Sequence, residues 1–305
     1  VNMPFGNVGS MVSWGSDGNI TFNQRINKDM EFTLRANFTY STNKVNYYEE
    51  GDTKYEYTSA TGRPNGYMKG YIALGLFKDQ EEINNSPKQD FGSYLPGDIK
   101  YKDVNGDGVV NSDDQVPVSY QDYPRLMYGF GGEFRYKQFT LGVLFKGTGN
   151  TDYYYVDDNG YWDKGKNGEG YIPFYGGKTG NVLKIVADQS NRWTPASYSG
   201  DPSTENPNAR FPRLSYGKNE NNTQFSSFWY QNARYLRLQE ISVNYNLPAG
   251  RLLKYLGVRS LDLQFVASDL CIWSPMKLWD AEQADHNGGA YPIPQRFAFQ
   301  MYVNF

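Results

Sequence analysis

The sequence predicts an all-β chain, part of an antiparallel transmembrane β-barrel with long extracellular loops, on three observations. Apolar and polar side chains alternate with period two in segments of about ten residues, the length a tilted strand needs to cross a bilayer. Tight and long connections between these segments alternate down the chain. Of the 305 residues, 17% are aromatic, with 27 Tyr, 18 Phe and 6 Trp, yet mean hydropathy is -0.71; the mixture suits strands separated by polar turns and loops.

Taken in chain order, Ile20, Phe22 and Ile26 open the series. Phe32, Leu34, Ala36, Phe38 and Tyr40 then face away from Thr33, Arg35, Asn37 and Thr39. Tyr128, Phe130, Phe134 and Tyr136 oppose Gly129, Gly131, Glu133 and Arg135, and Phe139, Leu141, Val143 and Phe145 oppose Thr140, Gly142 and Lys146. Residues 234–247 begin irregularly and settle with Ile241, Val243, Tyr245 and Leu247 facing Glu240, Ser242 and Asn244, so a bulge near Leu238 is expected. Leu261, Leu263, Phe265 and Ala267 lie opposite Ser260, Asp262, Gln264 and Ser268. The last segment sets Phe297, Phe299, Met301, Val303 and Phe305 against Arg296, Ala298, Gln300, Tyr302 and Asn304.

A soluble sandwich also alternates, because one face of each sheet packs inward. Connection lengths separate the two readings. Those at 26–31 and 136–139 are tight and that at 247–259 moderate, whereas 42–126, 147–233 and 272–295 are long. Compact soluble domains rarely carry long structureless loops, while outer-membrane barrels pair short periplasmic turns with long outer loops. With the C-terminus periplasmic, all tight turns fall on the periplasmic side. Residues 43–125 and 148–232 become outer loop regions, and 67–77 belongs to an excursion rather than to the wall. The whole of 1–305 is expected to be the C-terminal part of a barrel: the opening Val1-Asn-Met-Pro has no leader, and Phe305, with Val303, Met301 and Phe299, looks like the signal read by the outer-membrane insertion machinery.

The formal charge of -3, with cations scattered rather than striped, removes the basis for a nucleic-acid partner. No run approaches the roughly eighteen apolar residues of a transmembrane helix. Cys271 is the single cysteine, read as a buried inert thiol, and His286 the single histidine, in a loop. Gly176-Gly-Lys-Thr179 lacks the upstream glycine of a phosphate loop, and the pairs Glu49-Glu50, Glu81-Glu82 and Asp157-Asp158 read as solvated loop charges. No catalytic set emerges, and the chain is expected not to be an enzyme. Tyr153, Tyr154, Tyr155, Tyr161, Trp162, Trp193, Phe228, Trp229 and Tyr230 cluster in or beside the second long loop, as sugar-stacking rings or as loop packing.

Residues 103–114 match the spacing of a calcium loop. Asp103, Asn105 and Asp107 take positions one, three and five, Gly108 permits the turn, Val109 offers its carbonyl, Asn111 stands at nine and Asp114 at twelve. Position twelve is Asp where Glu is usual, which leaves two expectations: a lower affinity, or the geometry of the dockerin-type variant. A structural Ca2+ is the expectation.

Ala73-Leu-Gly-Leu-Phe through Gln80-Glu-Glu-Ile, then Pro96-Gly-Asp-Ile-Lys-Tyr-Lys-Asp-Val-Asn-Gly-Asp-Gly through Val116-Pro, resemble the SusC/RagA family of TonB-dependent outer-membrane transporters of Bacteroidota. So do Ala233-Arg-Tyr-Leu-Arg-Leu-Gln-Glu-Ile-Ser-Val-Asn-Tyr-Asn-Leu-Pro and Tyr291-Pro-Ile-Pro-Gln-Arg-Phe to the terminus. The resemblance implies a 22-stranded barrel, of which this chain supplies the last third, in the outer membrane of a Gram-negative bacterium. It further implies an upstream plug that meets the TonB complex, a SusD-like surface lipoprotein partner, and import of an oligosaccharide or oligopeptide. It identifies no substrate-binding residue. Two alternatives stay open here: a small complete outer-membrane barrel, and a soluble calcium-dependent carbohydrate-binding protein.

Overall fold

The computed structural model describes residues 6–120, 123–154, 184–215, 219–248, 250, 255, 257–286 and 290–305. The chain forms two compact units. One holds Ser13–Thr42, Tyr123–Thr151 and Asn232–Phe305; the other holds Val1–Val12, Asn43–Asp122 and Asp152–Gln231.

The first unit is a sheet. Its strands are β1 (Gly9–Arg25), β2 (Met30–Tyr48), β3 (Leu126–Tyr136), β4 (Phe139–Gly149), β5 (Tyr235–Pro248), β6 (Ser260–Trp273) and β7 (Arg296–Asn304). They lie side by side in chain order, and the pairings from β2 to β7 are antiparallel. Such a meander is what hairpin connections dictate. The tightest links β3 to β4 through Lys137 and Gln138, with Lys137 in the left-handed region at φ 53°.

Register turns the alternation into continuous rows. Phe32 pairs with Phe134, Phe134 with Leu141, Leu141 with Val243, Val243 with Phe265 and Phe265 with Phe299. The adjacent row on the opposite face runs Glu31, Arg135, Thr140, Asn244, Gln264, Gln300. The expected bulge lies between Leu238 and Glu240: Gln239 is the extra residue against β4, and on its other side it stands against two residues of β6, Asp269 and Leu270.

The apolar face is open. Leu141 is 46% exposed, Phe265 42% and Phe299 71%. Each large apolar side chain left in water forgoes about 1.5–3 kcal/mol of burial, so a face built of such rows needs an apolar solvent. A soluble sandwich would require these residues covered, and they are not. Cys271, expected to be buried, is exposed: it pairs with Leu238 and so belongs to the same open face. Two strands also exceed the expected lengths, since β1 begins at Gly9 and β2 runs on to Tyr48. Past the crossing length no solvent contrast enforces alternation, and Ser41-Thr-Asn-Lys44 shows none.

The second unit is packed conventionally. Phe77, Ile99, Val110, Val186, Phe211 and Trp229 are all at most 1% exposed. Short pairings order its backbone: Met68–Gly70 with Val116–Ser119, Ala73–Leu76 with Ile99–Tyr101, and Lys88–Gln89 in parallel with Val109–Val110. Residues 67–77 therefore stand outside the seven-stranded sheet.

Its centre is polar. Asp98, fully buried, accepts from the Asn219 and Asn222 amides at 3.0 and 2.8 Å, from Leu95 N–H at 2.8 Å and from Arg213 Nη2 at 2.9 Å. Gln89 donates to Ile99 O and accepts from Tyr101 N–H, while Asn221 donates to Ile99 O and Trp229 Nε1 donates to Asn222 O. Paired this fully, buried polar groups fix one arrangement instead of costing stability. Gly97 permits the turn before Asp98: its φ is 87°, and a Cβ there would meet the Trp193 ring at 2.3 Å.

Candidate functional site

The polar face of the sheet is what this unit offers to a solute. Arg135 pairs with Glu31 directly across from it, and Arg35 lies 3.7 Å from Glu133 on the diagonal, so exposed charges meet counter-charges on the neighbouring strand. Each exposed pair contributes at most about 1 kcal/mol. Gly131 and Gly142 put no side chain on this face, and a shallow cavity of about 150 Å³ opens there beside Thr33, Arg35, Glu133 and Glu240. A larger one, about 570 Å³, is lined on its polar side by Asp17, Asn19, Asn37, Thr39, Lys146 and Gln239.

A charge cluster ties the segment after β6 to this face. Arg237, 2% exposed, donates from Nη2 to both Asp280 oxygens at 2.7 and 2.6 Å, and its Nε lies 2.9 Å from Glu282 Oε2. Lys146, the register partner of Arg237, pairs with the same Glu282. Met276 and Ala281 are buried with the segment, and Ser274 Oγ donates to Arg234 O. Sequence reasoning missed this set. Its signal was two cations adjacent on the polar phase with no carboxylate opposite them on either neighbouring strand.

In the second unit the acidic loop is held by its own backbone. Asp103 accepts from Gly106 and Gly108 N–H at 2.7 and 2.8 Å, and Asp107 accepts from Val109 N–H at 2.9 Å. Asn105 Nδ2 donates to Asp107 Oδ2, and Gly106 and Gly108 take φ of 76° and 88°. Asp114 is fully buried and accepts from Val104, Asn105 and Asn111 N–H, forming a capping box with Asn111, whose Oδ1 accepts from Asp113 N–H. Val109 begins a short strand. The structure thus groups Asp103, Asn105 and Asp107 at the exposed tip and turns Asp114 inward. Among the described residues, no three His, Cys, Asp or Glu side chains converge as a metal-binding group.

Other expected roles resolve locally. Glu50, read as a solvated charge, accepts from Ser59 Oγ and from Ala60 and Thr61 N–H. Burial pushes its carboxyl up, but those bonds and the Lys69 charge outweigh it and hold it below the usual range. Glu82 likewise accepts from Lys78 N–H and pairs with Lys100 at 2.9 Å, which together overcome burial and hold it low. Of the rings, Tyr153, Trp193 and Trp229 are buried, and Tyr154 stacks on Phe225 at 4.7 Å, so these pack the loop unit. Tyr155, Tyr161, Trp162, Asp157, Asp158 and Gly176–Thr179 lie outside the described residues, as does the side chain of His286.

No protein-family profile matches the chain. It is 28% identical over 249 residues to TonB-dependent receptor P26 of Formosa agariphila, covering 77% of this chain and 22% of that protein. It is 22% identical over 326 residues to TonB-dependent receptor P3 of the same organism, covering 98% of this chain and 29% of that protein. The chain therefore spans between a fifth and a third of the length of these curated relatives. Among solved structures, the RagAB peptide transporter matches with a TM-score of 0.65 at 20% identity, over 98% of this chain and 30% of that one. The RagAB peptide importer in its open-open state matches with a TM-score of 0.63 at 18% identity, over 100% of this chain and 31% of that one. The resemblance to SusC/RagA-type TonB-dependent transporters holds in sequence through the receptors and in fold through the RagAB structures.

Proposed function

We propose that this chain, similar to part of a TonB-dependent transporter, forms wall and outer loops of an outer-membrane importer for an oligopeptide or oligosaccharide. One observation carries the reading: a seven-stranded meander whose continuous rows of large apolar side chains line one open face while the other is lined mainly by charges, amides and glycines. Only a closed barrel lets strands this polar cross lipid with every backbone group paired. The names of the relatives support energy coupling through TonB, by way of a plug outside this chain. The two-component name of the structural neighbours supports a SusD-like lipoprotein partner, and their description as peptide importers favours peptide cargo.

The test is fractionation of the native gene product followed by uptake of labelled oligopeptides and oligosaccharides, with and without the gene. Recovery in the outer membrane, co-purification of a lipoprotein and gene-dependent uptake are expected. A product recovered in the soluble fraction would sink the proposal.

For the acidic loop we infer a weak structural Ca2+ held by Asp103, Asn105, Asp107 and the Val109 carbonyl, with Asn111 nearby. Asp114 stays a backbone cap, since its carboxylate is buried and turned to the Val104, Asn105 and Asn111 N–H groups. With position twelve withdrawn, dissociation constants of about 10⁻⁴–10⁻³ M are expected. Calorimetric titration of the full-length protein, showing heat that Asp103→Asn abolishes, is the measurement; no heat at millimolar calcium removes the ion.

A further inference from the structure

Two large apolar side chains break the composition of the polar face. Met127 and Leu144 are exposed, yet register sets Met127 between Thr39 and Thr148 and Leu144 between Gly131 and Glu240, among the polar rows. Between them runs the row Asn37, Gly129, Lys146, Arg237, and the surface dips at Gly129, which has no side chain. The dip is the floor of the cavity of about 570 Å³ on this face, a volume within the roughly 300–1,000 Å³ of ligand sites. Its apolar walls gain burial only when something covers them. The polar groups around the floor are open too. Among the described residues, Asp17 pairs with no cation, and the Asn19, Asn37 and Thr39 side chains make no hydrogen bond. Lys146 is already paired with Glu282, which leaves Asp17 as the uncompensated charge of the cavity.

Depth follows from the strands. Asn37, Gly129 and Lys146 each stand seven residues from the tight-turn end of their strand, at Met30, Tyr136 and Phe139. At about 3.3 Å per residue and roughly 40° of tilt this is about 18 Å along the membrane normal, beyond the midpoint of an apolar band about 25 Å tall. The cavity therefore opens in the half nearer the long connections, which a solute arriving from outside meets first in the proposed orientation.

We propose that this cavity is a cargo site for an oligopeptide: an apolar side chain seats over Gly129 between Met127 and Leu144, the Asn19 and Asn37 amides pair with the peptide main chain, and Asp17 takes a cationic group. Side-chain amides carry both donors and acceptors, as a main chain does. Met adapts its shape to apolar side chains of different outline. A sugar would need a flat exposed ring to stack on, and Tyr235, the ring that register places on this side of the cavity, is 8% exposed. The inference deepens the importer reading and rests on it.

The full-length protein carrying Cys271→Ser and Thr39→Cys is reacted in whole cells with a membrane-impermeant maleimide, with Ser203→Cys in the outer loop region as the control. The probes are a hexapeptide of alternating leucine and lysine, its fully acetylated analogue and maltohexaose. Thr39→Cys is expected to react, and the peptide, but not maltohexaose, to slow that reaction. Asp17→Asn should lower uptake of the lysine peptide about fivefold more than that of the acetylated one. Gly129→Leu, whose Cβ meets the movable end of Asn37 at 2.9 Å, should lower uptake of both. No reaction at Thr39→Cys where Ser203→Cys reacts, which would mean that another segment covers the wall, overturns the proposal while the importer reading stands. So does protection by maltohexaose in place of the peptide, or an equal loss for the two peptides in Asp17→Asn. Recovery of the protein in the soluble fraction overturns both.

Discussion

The two units of this chain obey opposite burial rules. In the sheet, Phe299 is 71% and Phe297 64% exposed, while Arg237 is 2% exposed; in the loop unit Phe77, Ile99 and Trp229 are at most 1% exposed. Composition does not explain the contrast, because both draw on the same aromatic and amide residues. Solvent does. The loop unit folds against water and hides its rings, whereas the sheet presents its rings outward because the phase outside is hydrocarbon. The polar interior differs as well: in the loop unit it is a closed hydrogen-bonded knot around Asp98, and on the sheet it is an open wall of charges and amides.

Substitutions can break this contrast, and the strongest acts on the knot. Asp98→Ala leaves the Arg213 guanidinium without its buried partner and frees two amide donors, a loss of about 3–5 kcal/mol. Limited proteolysis of the full-length protein should show cleavage between residues 84 and 101 and between 219 and 230 with the sheet intact. Resistance equal to wild type would contradict the knot. Next, Val143→Arg, near the middle of the apolar face, should cost about 2–4 kcal/mol in unfolding from lipid vesicles, whereas Leu144→Arg, one residue away on the polar face, should cost little. Equal costs would mean the two faces meet the same solvent. Gly97→Ala drives a methyl into Trp193 and strains the left-handed backbone, destabilising the loop unit by on the order of 2 kcal/mol; an unchanged melting profile refutes it.

The smallest effect is a matter of pH. The Glu50 carboxyl is held below its ordinary value of 4.5, so what it contributes is fully present above that value and is lost as pH falls through the folded one. Hydrogen exchange at Ala60 and Thr61 should keep its protection from about pH 7 down to about 4.5 and lose it on further acidification, with Glu50→Gln showing no such step. The same step persisting in Glu50→Gln would assign it elsewhere.

The sheet was legible because a bilayer imposes a two-residue period and the bulge at Gln239 betrays itself as a break in that period. The extensions of β1 and β2 were not, since Ser41-Thr-Asn-Lys44 answers to no such contrast. The loop unit was opaque for another reason: its centre is made of Asn, Gln and Asp, which look like loop residues until their partners are placed. The acidic loop was readable as a turn with calcium spacing, but the inward rotation of Asp114 depends on three backbone N–H groups that no spacing rule contains. The Arg237 cluster needed a partner 43 residues away.

The knot also orders events in time. Asn222 reaches Asp98 across 124 residues and Asn221 reaches Gln89 across 132, with β3 and β4 threaded between the two excursions. Closing loops of that length before the intervening hairpin exists costs chain entropy that no local contact repays. The β3–β4 hairpin, linked by two residues, can form within microseconds. Assembly thus runs from hairpin to loop unit, and until the two excursions meet each other, the asparagines that later lock the unit remain hydrated and open to chaperones or proteases.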